Sequence, residues 1–448
     1  MALHQHPEMT HAPTPLYSAP LPRATAATDH VRPLFGRPLL SLCCLLGGSM
    51  LAQPVAPDHD RLQAMAKDHW QHAVATYWSE RTGLFYTRPP AELPPASVYI
   101  SEAQYRRGEY RTTPYKKGDE NSVGYNLHGG GTGTEDCCLF TGPLLAAMCD
   151  QYAVTSDRSV RAEALRAFQG LKSAATAHGC PGFIARGVCH EDGKSIFAGT
   201  SRDQYTNAIY GLWRFYRSGL AEESERQDIR DILCAVADKM TREVTPENNW
   251  SFDFAYGVKD DRGVGKMYEK EKLLTLRLAM FYAAAWDVSG KQDYHDRYRA
   301  ALPDSLAGTR AFAELPADKI KWSSPPYTVL QNNAAFRLVY DVEKDPAQKA
   351  AILDAMALYT AYVASSPHFA LAKYKSPRDH GEIIGGLLLC PSYTMPAETA
   401  AVLREDISKM WPKGWAGSIF TIIPAYWQAR ARGYFATSAT PPTDGGQQ

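Results

Sequence analysis

Ala147-Met-Cys-Asp-Gln-Tyr-Ala-Val-Thr-Ser-Asp157, Ala284-Ala-Trp-Asp-Val-Ser-Gly-Lys-Gln-Asp293 and Arg337-Leu-Val-Tyr-Asp-Val-Glu-Lys-Asp345 share one pattern. Each is the end of an apolar helix bearing an aromatic, then a tight polar turn, then the start of a second helix with a more polar face. Helical spacing of apolar residues extends outward from them. It predicts helices at Leu62–Trp78, Cys137–Tyr152, Val160–Ala177, Gln204–Arg217, Glu222–Arg242, Lys270–Asp287, Gln292–Leu302, Gln331–Tyr340, Pro346–Ala364, Gly381–Leu389 and Ser418–Gly433. Two short strands fit the sequence, at Ser97–Ile100 and Gly182–Val188.

The first helices of the pairs begin near 137, 204, 270, 331 and 417, about 60 to 85 residues apart. A repeat of that length, one apolar and one amphipathic helix per unit, predicts an α-solenoid or its closed form. Five pairs and the helix at 62–78 predict an all-α fold, an (α/α)6 barrel: a toroid of six helical hairpins. Apolar helices form its inner ring, and the loops entering them gather at one end.

The chain has 448 residues, with 48 Lys+Arg against 48 Asp+Glu, 45% hydrophobic and 21% charged residues. That is globular composition, and the charge balance argues against a nucleic-acid or anionic-membrane partner held by bulk electrostatics. Residues 1–37 are rich in Pro, His, Ala and Thr. Arg37 then precedes an apolar run ending Gly48-Ser-Met-Leu-Ala52, which reads as a leader and secretory signal too short for a membrane span, and so as export. The predicted domain is 53–435, followed by a disordered tail, 436–448. Beyond residue 52, seven scattered cysteines form no disulfide framework and no Cys-x-x-Cys metal pattern. Cys180 to Cys189 is the pairing the sequence leaves open. No cofactor and no metal are expected, and the oligomeric state is not legible.

The loops entering the inner helices carry the chemistry. One is Asn126-Leu-His-Gly-Gly-Gly-Thr-Gly-Thr-Glu-Asp136; it lacks the Gly-Lys-Ser/Thr ending of a phosphate loop and instead delivers Glu135 and Asp136 to a helix start. Another ends Ser201-Arg-Asp-Gln-Tyr-Thr-Asn207. Asp136 and Asp203 stand one hairpin apart, so both fall on one rim. Two facing carboxylates are what glycoside chemistry requires, one giving a proton and one taking it or attacking carbon. Capping accounts for the same residues equally simply, and Glu135 competes with Asp136. Around them, His128, Arg186, Arg202, Gln204, Tyr205, Asn207, Trp250, Tyr327 and Trp415 are the expected substrate-binding residues, the arginines as clamps for a carboxylate. Trp411 is a further candidate sugar platform. His190-Glu-Asp192, before Gly193, reads as a solvated turn rather than a metal site. His380 is a lone histidine, either a proton carrier or a structural residue.

The turns Thr134-Glu-Asp-Cys-Cys-Leu-Phe-Thr-Gly-Pro-Leu-Leu-Ala146 and Ser201-Arg-Asp-Gln-Tyr-Thr-Asn-Ala-Ile-Tyr-Gly211, with the hairpin layout, resemble the six-hairpin glycosidase superfamily. The resemblance is greatest to the unsaturated glucuronyl and rhamnogalacturonyl hydrolases. It spans residues 60–435 in layout and is specific around 134–146 and 182–213. It implies a hydrolase of uronic-acid oligosaccharides, with the acid/base roles on Asp203 and Asp136 in either order. The long His128–Gly133 loop and the lack of a Trp-rich surround depart from that pattern. Two alternatives stand beside it. One is a toroid polysaccharide lyase drawing on Tyr205, His128, Asn207 and Arg186; the other is a non-catalytic glycan-binding toroid.

Overall fold

The computed structural model describes residues 59–110, 127–260, 262–316, 325–409, 411 and 416–435. The leader and signal at 1–52, the tail at 436–448 and Trp415 lie outside the described residues. The helices are α1 (His59–Tyr77), α2 (Glu102–Arg106), α3 (Cys137–Thr155), α4 (Val160–Thr176), α5 (Arg202–Arg217), α6 (Glu223–Glu243), α7 (Thr275–Ser289), α8 (Gln292–Ala313), α9 (Tyr327–Val342), α10 (Pro346–Ser365), α11 (Pro377–Leu389), α12 (Ala397–Ile407) and α13 (Ala416–Ala431).

Their packing closes a ring. α3 packs on α5, α5 on α7, α7 on α9, α9 on α11, α11 on α13, and α13 back on α3. Each inner helix also packs on an outer one: α4, α6, α8, α10 and α12 follow their inner partners in the chain, and α1 covers α13. The fold is therefore an (α/α)6 toroid whose sixth hairpin joins the first described helix to the last. Composition sorts the two rings. α3 is buried from Cys137 to Asp150 and α7 from Thr275 to Ala285 almost without a break, whereas α6 buries only a stripe led by Ile229, Ile232, Leu233, Val236 and Met240. α3 is long and apolar enough to cross a membrane, and its position in the inner ring accounts for that apolarity.

Three expectations change. The helix at 62–78 is the outer partner of α13 rather than a separate first hairpin. The run at 381–389 is a full inner helix, and its partner α12 is not legible in the sequence because its buried face mixes Leu403 and Ile407 with Thr399 and Asp406. The described residues contain no strand at 97–100 or 182–188, only isolated bridges at Trp78–Phe85 and Ser251–Lys266. The backbone of 184–186 is satisfied otherwise: Ile184 N donates to the Tyr205 hydroxyl, Ala185 N to Ala174 O, and Arg186 O accepts from Cys138 N. Cys180 and Cys189 are free thiols, so that bridge does not form; Cys137, Cys138, Cys149, Cys189 and Cys390 are buried.

Short connections such as Ser156–Ser159 and Gly290–Lys291 join the hairpins at one end, which leaves the long loops at the other, where the inner helices begin. The start of α3 is built to leave its acid free. Pro143 has no N–H to give Leu139 O, and Asn207 Nδ2 on α5 donates to that carbonyl at 2.7 Å. Among the first-turn N–H groups that have no partner within the helix, Cys138 N reaches Arg186 O at 3.0 Å and Leu139 N reaches Gln204 Oε1 at 2.8 Å.

Candidate functional site

With those donors satisfied, the Asp136 side chain makes no capping hydrogen bond, although the residue stands at the N-cap of α3. Asp203, in the first turn of α5, is not a cap either; its carboxylate pairs with Arg277 of α7. The capping account of both residues fails on geometry. Asp136 Oδ1 accepts from Gln204 Nε2 at 3.1 Å and lies 3.6 Å from Arg186 Nη1. Both carboxylates keep a solvent face, their side chains being 27% and 23% exposed.

Tyr327, at the start of α9, lies within the electrostatic reach of both. Its phenol pKa is raised by burial and by the charges of Asp203 and Asp136, and lowered by Arg277 and Arg202. Residues from α3, α5, α7 and α9 thus meet at one rim. A cleft of about 460 Å³ opens beside them between α7, α8 and α9, with Arg202, Arg277, Thr328, Asn332 and Phe312 in its wall.

The remaining expected residues divide sharply. Arg186 reaches the site, donating from Nη1 to Glu135 O at 2.9 Å. Arg202 lies in the cleft wall and donates to Gly263 O at 2.9 Å. Glu135 turns away: its carboxylate accepts from Gly131 N at 3.0 Å and Gly133 N at 2.6 Å, stapling the glycine loop. Its carboxylate is thus committed to the loop backbone, unlike that of Asp136. Gln204, Tyr205 and Asn207 are buried framework. Gln204 bridges α5 to α3, the Tyr205 hydroxyl donates to Gly182 O at 3.0 Å, and Asn207 holds Leu139 O. His128 is buried edge-on against Phe254, and burial with the charges of Arg186 and Arg262 pushes its pKa down to about 3, too low for an effective base. Trp250 packs tilted against Tyr268, ring centres 4.6 Å apart, and Tyr268 in turn bonds Asp304 of α8. Trp411 donates to Asp406 O at 3.2 Å. The turn at 190–193 is as expected, with Asp192 accepting from Lys194 N and Ser195 N.

Sequence reasoning missed Arg277, Arg378 and Glu382. Arg378, in the first turn of α11, lies over the Phe140 ring of α3 and donates to Glu382 at 2.9 Å. Burial pushes the Glu382 carboxyl up to about 7, with Arg378 opposing and Asp136 adding to the rise. Nothing local singles these residues out. They read as ordinary charges inside helices, and only ring closure brings Arg277 to Asp203 and sets Arg378 and Glu382 within the electrostatic reach of Asp136.

His380 is structural. Nδ1 lies 2.8 Å from Asp406 Oδ2, and Nε2 faces Tyr374 O at 3.1 Å, which pins α11 to α12. Burial lowers its pKa, but the Asp406 carboxylate and these carbonyls raise it further, above the usual value. The pair therefore stabilises the fold fully below about pH 6.5, and that contribution is lost as pH rises through the raised folded pKa. The stability gap between wild type and His380→Asn should shrink as pH rises above about 6.5. A gap that widens with pH in thermal melts contradicts this assignment.

Among the described residues, no group of three or more His, Cys, Asp or Glu is gathered to hold a metal ion. No family model matches the chain, and no curated protein matches it. A solved structure, a sugar epimerase from a ruminal bacterium, is similar at 11% identity with a TM-score of 0.49, covering 84% of this chain and 99% of that one.

Proposed function

We propose that the chain is a hydrolase of uronic-acid-containing oligosaccharides, with Asp203 and Asp136 as the acid/base pair in either order. The observation that carries this reading is the pair itself: two non-capping carboxylates from adjacent inner helices, both solvent-facing, around one phenol. A paired carboxylate site supplies the proton donor and the base or nucleophile of glycoside cleavage. The guanidinium groups support the uronate. Among the described residues Arg202 hydrogen-bonds only backbone carbonyls, and Arg262, exposed on the neighbouring loop, acts electrostatically on Arg186 and His128. Among the described residues neither forms an ion pair with a carboxylate, Asp203 and Asp260 acting on Arg202 only through their charge, which suits a carboxylate brought by the substrate.

Elimination is the second reading, and Tyr327 favours it. With Tyr205, His128 and Asn207 committed to the framework, Tyr327 is the phenol placed among Arg202, Arg277 and the carboxylates. The test is turnover of uronic-acid oligosaccharides by purified protein, read by product mass and ultraviolet absorbance. Hydrolysis adds one water to the summed product mass. Elimination adds none and leaves an absorbing C=C bond conjugated to the carboxylate. No turnover, with binding retained in an Asp136/Asp203 double variant, supports a non-catalytic glycan-binding toroid.

A further inference from the structure

Below the rim, the inner helices α9 and α11 each carry a buried polar residue about one turn in, Gln331 and Glu382. Tyr327 begins the face of α9 that looks toward α3, α5 and α7, and Gln331 follows one helical turn deeper on that same face. The other faces of α9 are occupied. Asn332 Nδ2 donates to Tyr359 on α10, and Phe336 packs on the same ring; Asn333 Nδ2 donates to Gly386 O on α11. Beyond Gln331, Ala334 and Leu338 continue the axial face and are buried apolar residues. On this face of α9, Gln331 is thus the last polar residue before two buried apolar ones.

Its side chain is fully buried, and neither Oε1 nor Nε2 has a hydrogen-bond partner among the described residues. A buried amide with both ends unmet is costly, so such groups mark sites that meet a ligand or solvent. Glu382 lies at the corresponding depth on the neighbouring inner helix, one turn below Arg378, and is already paired with it. Among the described residues Glu382 is therefore not an unmatched charge that would call for an ionic group beside Gln331.

We infer that Gln331 is a substrate-binding residue that holds a hydroxyl of the sugar ring inserted down the toroid axis. An amide both accepts from and donates to a hydroxyl, whereas a carboxylate needs the cationic rim above. Insertion places the neutral hydroxyl edge inward and the carboxylate outward among Arg202 and Arg262. The inference rests on the proposed function for the sugar, and separates from it in the choice of probe.

The experiment is calorimetric titration of wild type and Gln331→Leu with unsaturated digalacturonide and, in parallel, cellobiose, alongside thermal melts. Gln331→Met serves as well if the leucine variant does not fold. The expected result is affinity at least about tenfold weaker for whichever sugar binds wild type, the size of one lost hydrogen bond. The melting temperature should be unchanged or higher, because an apolar side chain of similar volume replaces an unmet amide. A lower melting temperature with unchanged affinity makes the amide structural and overturns the inference. Binding of cellobiose but not the uronide, weakened in the variant, supports Gln331 while rejecting the uronate class. Wild type binding neither sugar overturns both.

Discussion

Asp203→Asn should lower turnover of a true substrate by about 10²–10⁴-fold, the usual contribution of a positioned acid or base. The amide keeps the shape of the side chain and cannot exchange a proton near neutral pH. The variant should also melt lower than wild type, because Arg277, only 5% exposed, loses its anionic partner. Loss of a hydrogen bond to a charged group costs about 1.5–3 kcal/mol. The two effects are separable by measuring kcat on protein shown to be folded by circular dichroism. If Asp203 only anchors Arg277, the folded variant turns over at the wild-type rate and melts lower, and that outcome removes Asp203 from the chemistry. Asp136→Asn should match the loss in rate, and the double variant should fall little further, because residues acting as a unit are not additive.

The largest effect on stability is expected at the seam between α3 and α5. A Cβ placed on Gly142 would lie 2.0 Å from Asn207 O, and one on Gly211 would lie 2.4 Å from Gly142 O. The two backbones touch, and no rotamer change relieves a backbone clash. Gly142→Ala should cost about 3 kcal/mol or more, at or beyond the upper end of overpacking penalties. Gly290, a left-handed helix cap with φ 70 and open space around it, makes the comparison. Gly290→Ala should cost roughly 1 kcal/mol, for backbone strain alone. Denaturant unfolding of both variants checks the order; a cost at Gly142 no larger than at Gly290 contradicts the close approach. The consequence extends to the site. The bonds from Gln204 and Asn207 to Leu139 cross this same seam, so parting it moves Asp136 away from Asp203.

Much of the architecture was legible because it is periodic. Continuous apolar runs identify inner helices such as α3 and α7, and apolar spacing at 3.6 residues identifies outer helices such as α6. The recurrence of such pairs identifies hairpins, although the long step from 331 to 417 hid the one formed by α11 and α12. The acidic turns at 134–136 and 201–203 were legible because function in such a fold concentrates where loops enter the inner ring. Which of the nearby polar residues face the rim was not legible. Gln204, Tyr205, Asn207 and Glu135 stand beside the two aspartates in sequence, yet their atoms are committed to backbone groups that Pro143, the glycine loop and the 182–186 segment leave unpaired. Arg277, Gln331, Arg378 and Glu382 lie up to about 250 residues from Asp136 in the chain and join its surroundings only because six hairpins close. Sequence by itself determined most of the helices, their pairing and the position of the two aspartates at the entry to inner helices, because these follow from local periodicity and loop position. The tertiary structure alone decided which partners satisfy whose hydrogen bonds, because that depends on faces brought together by a ring no single segment encodes.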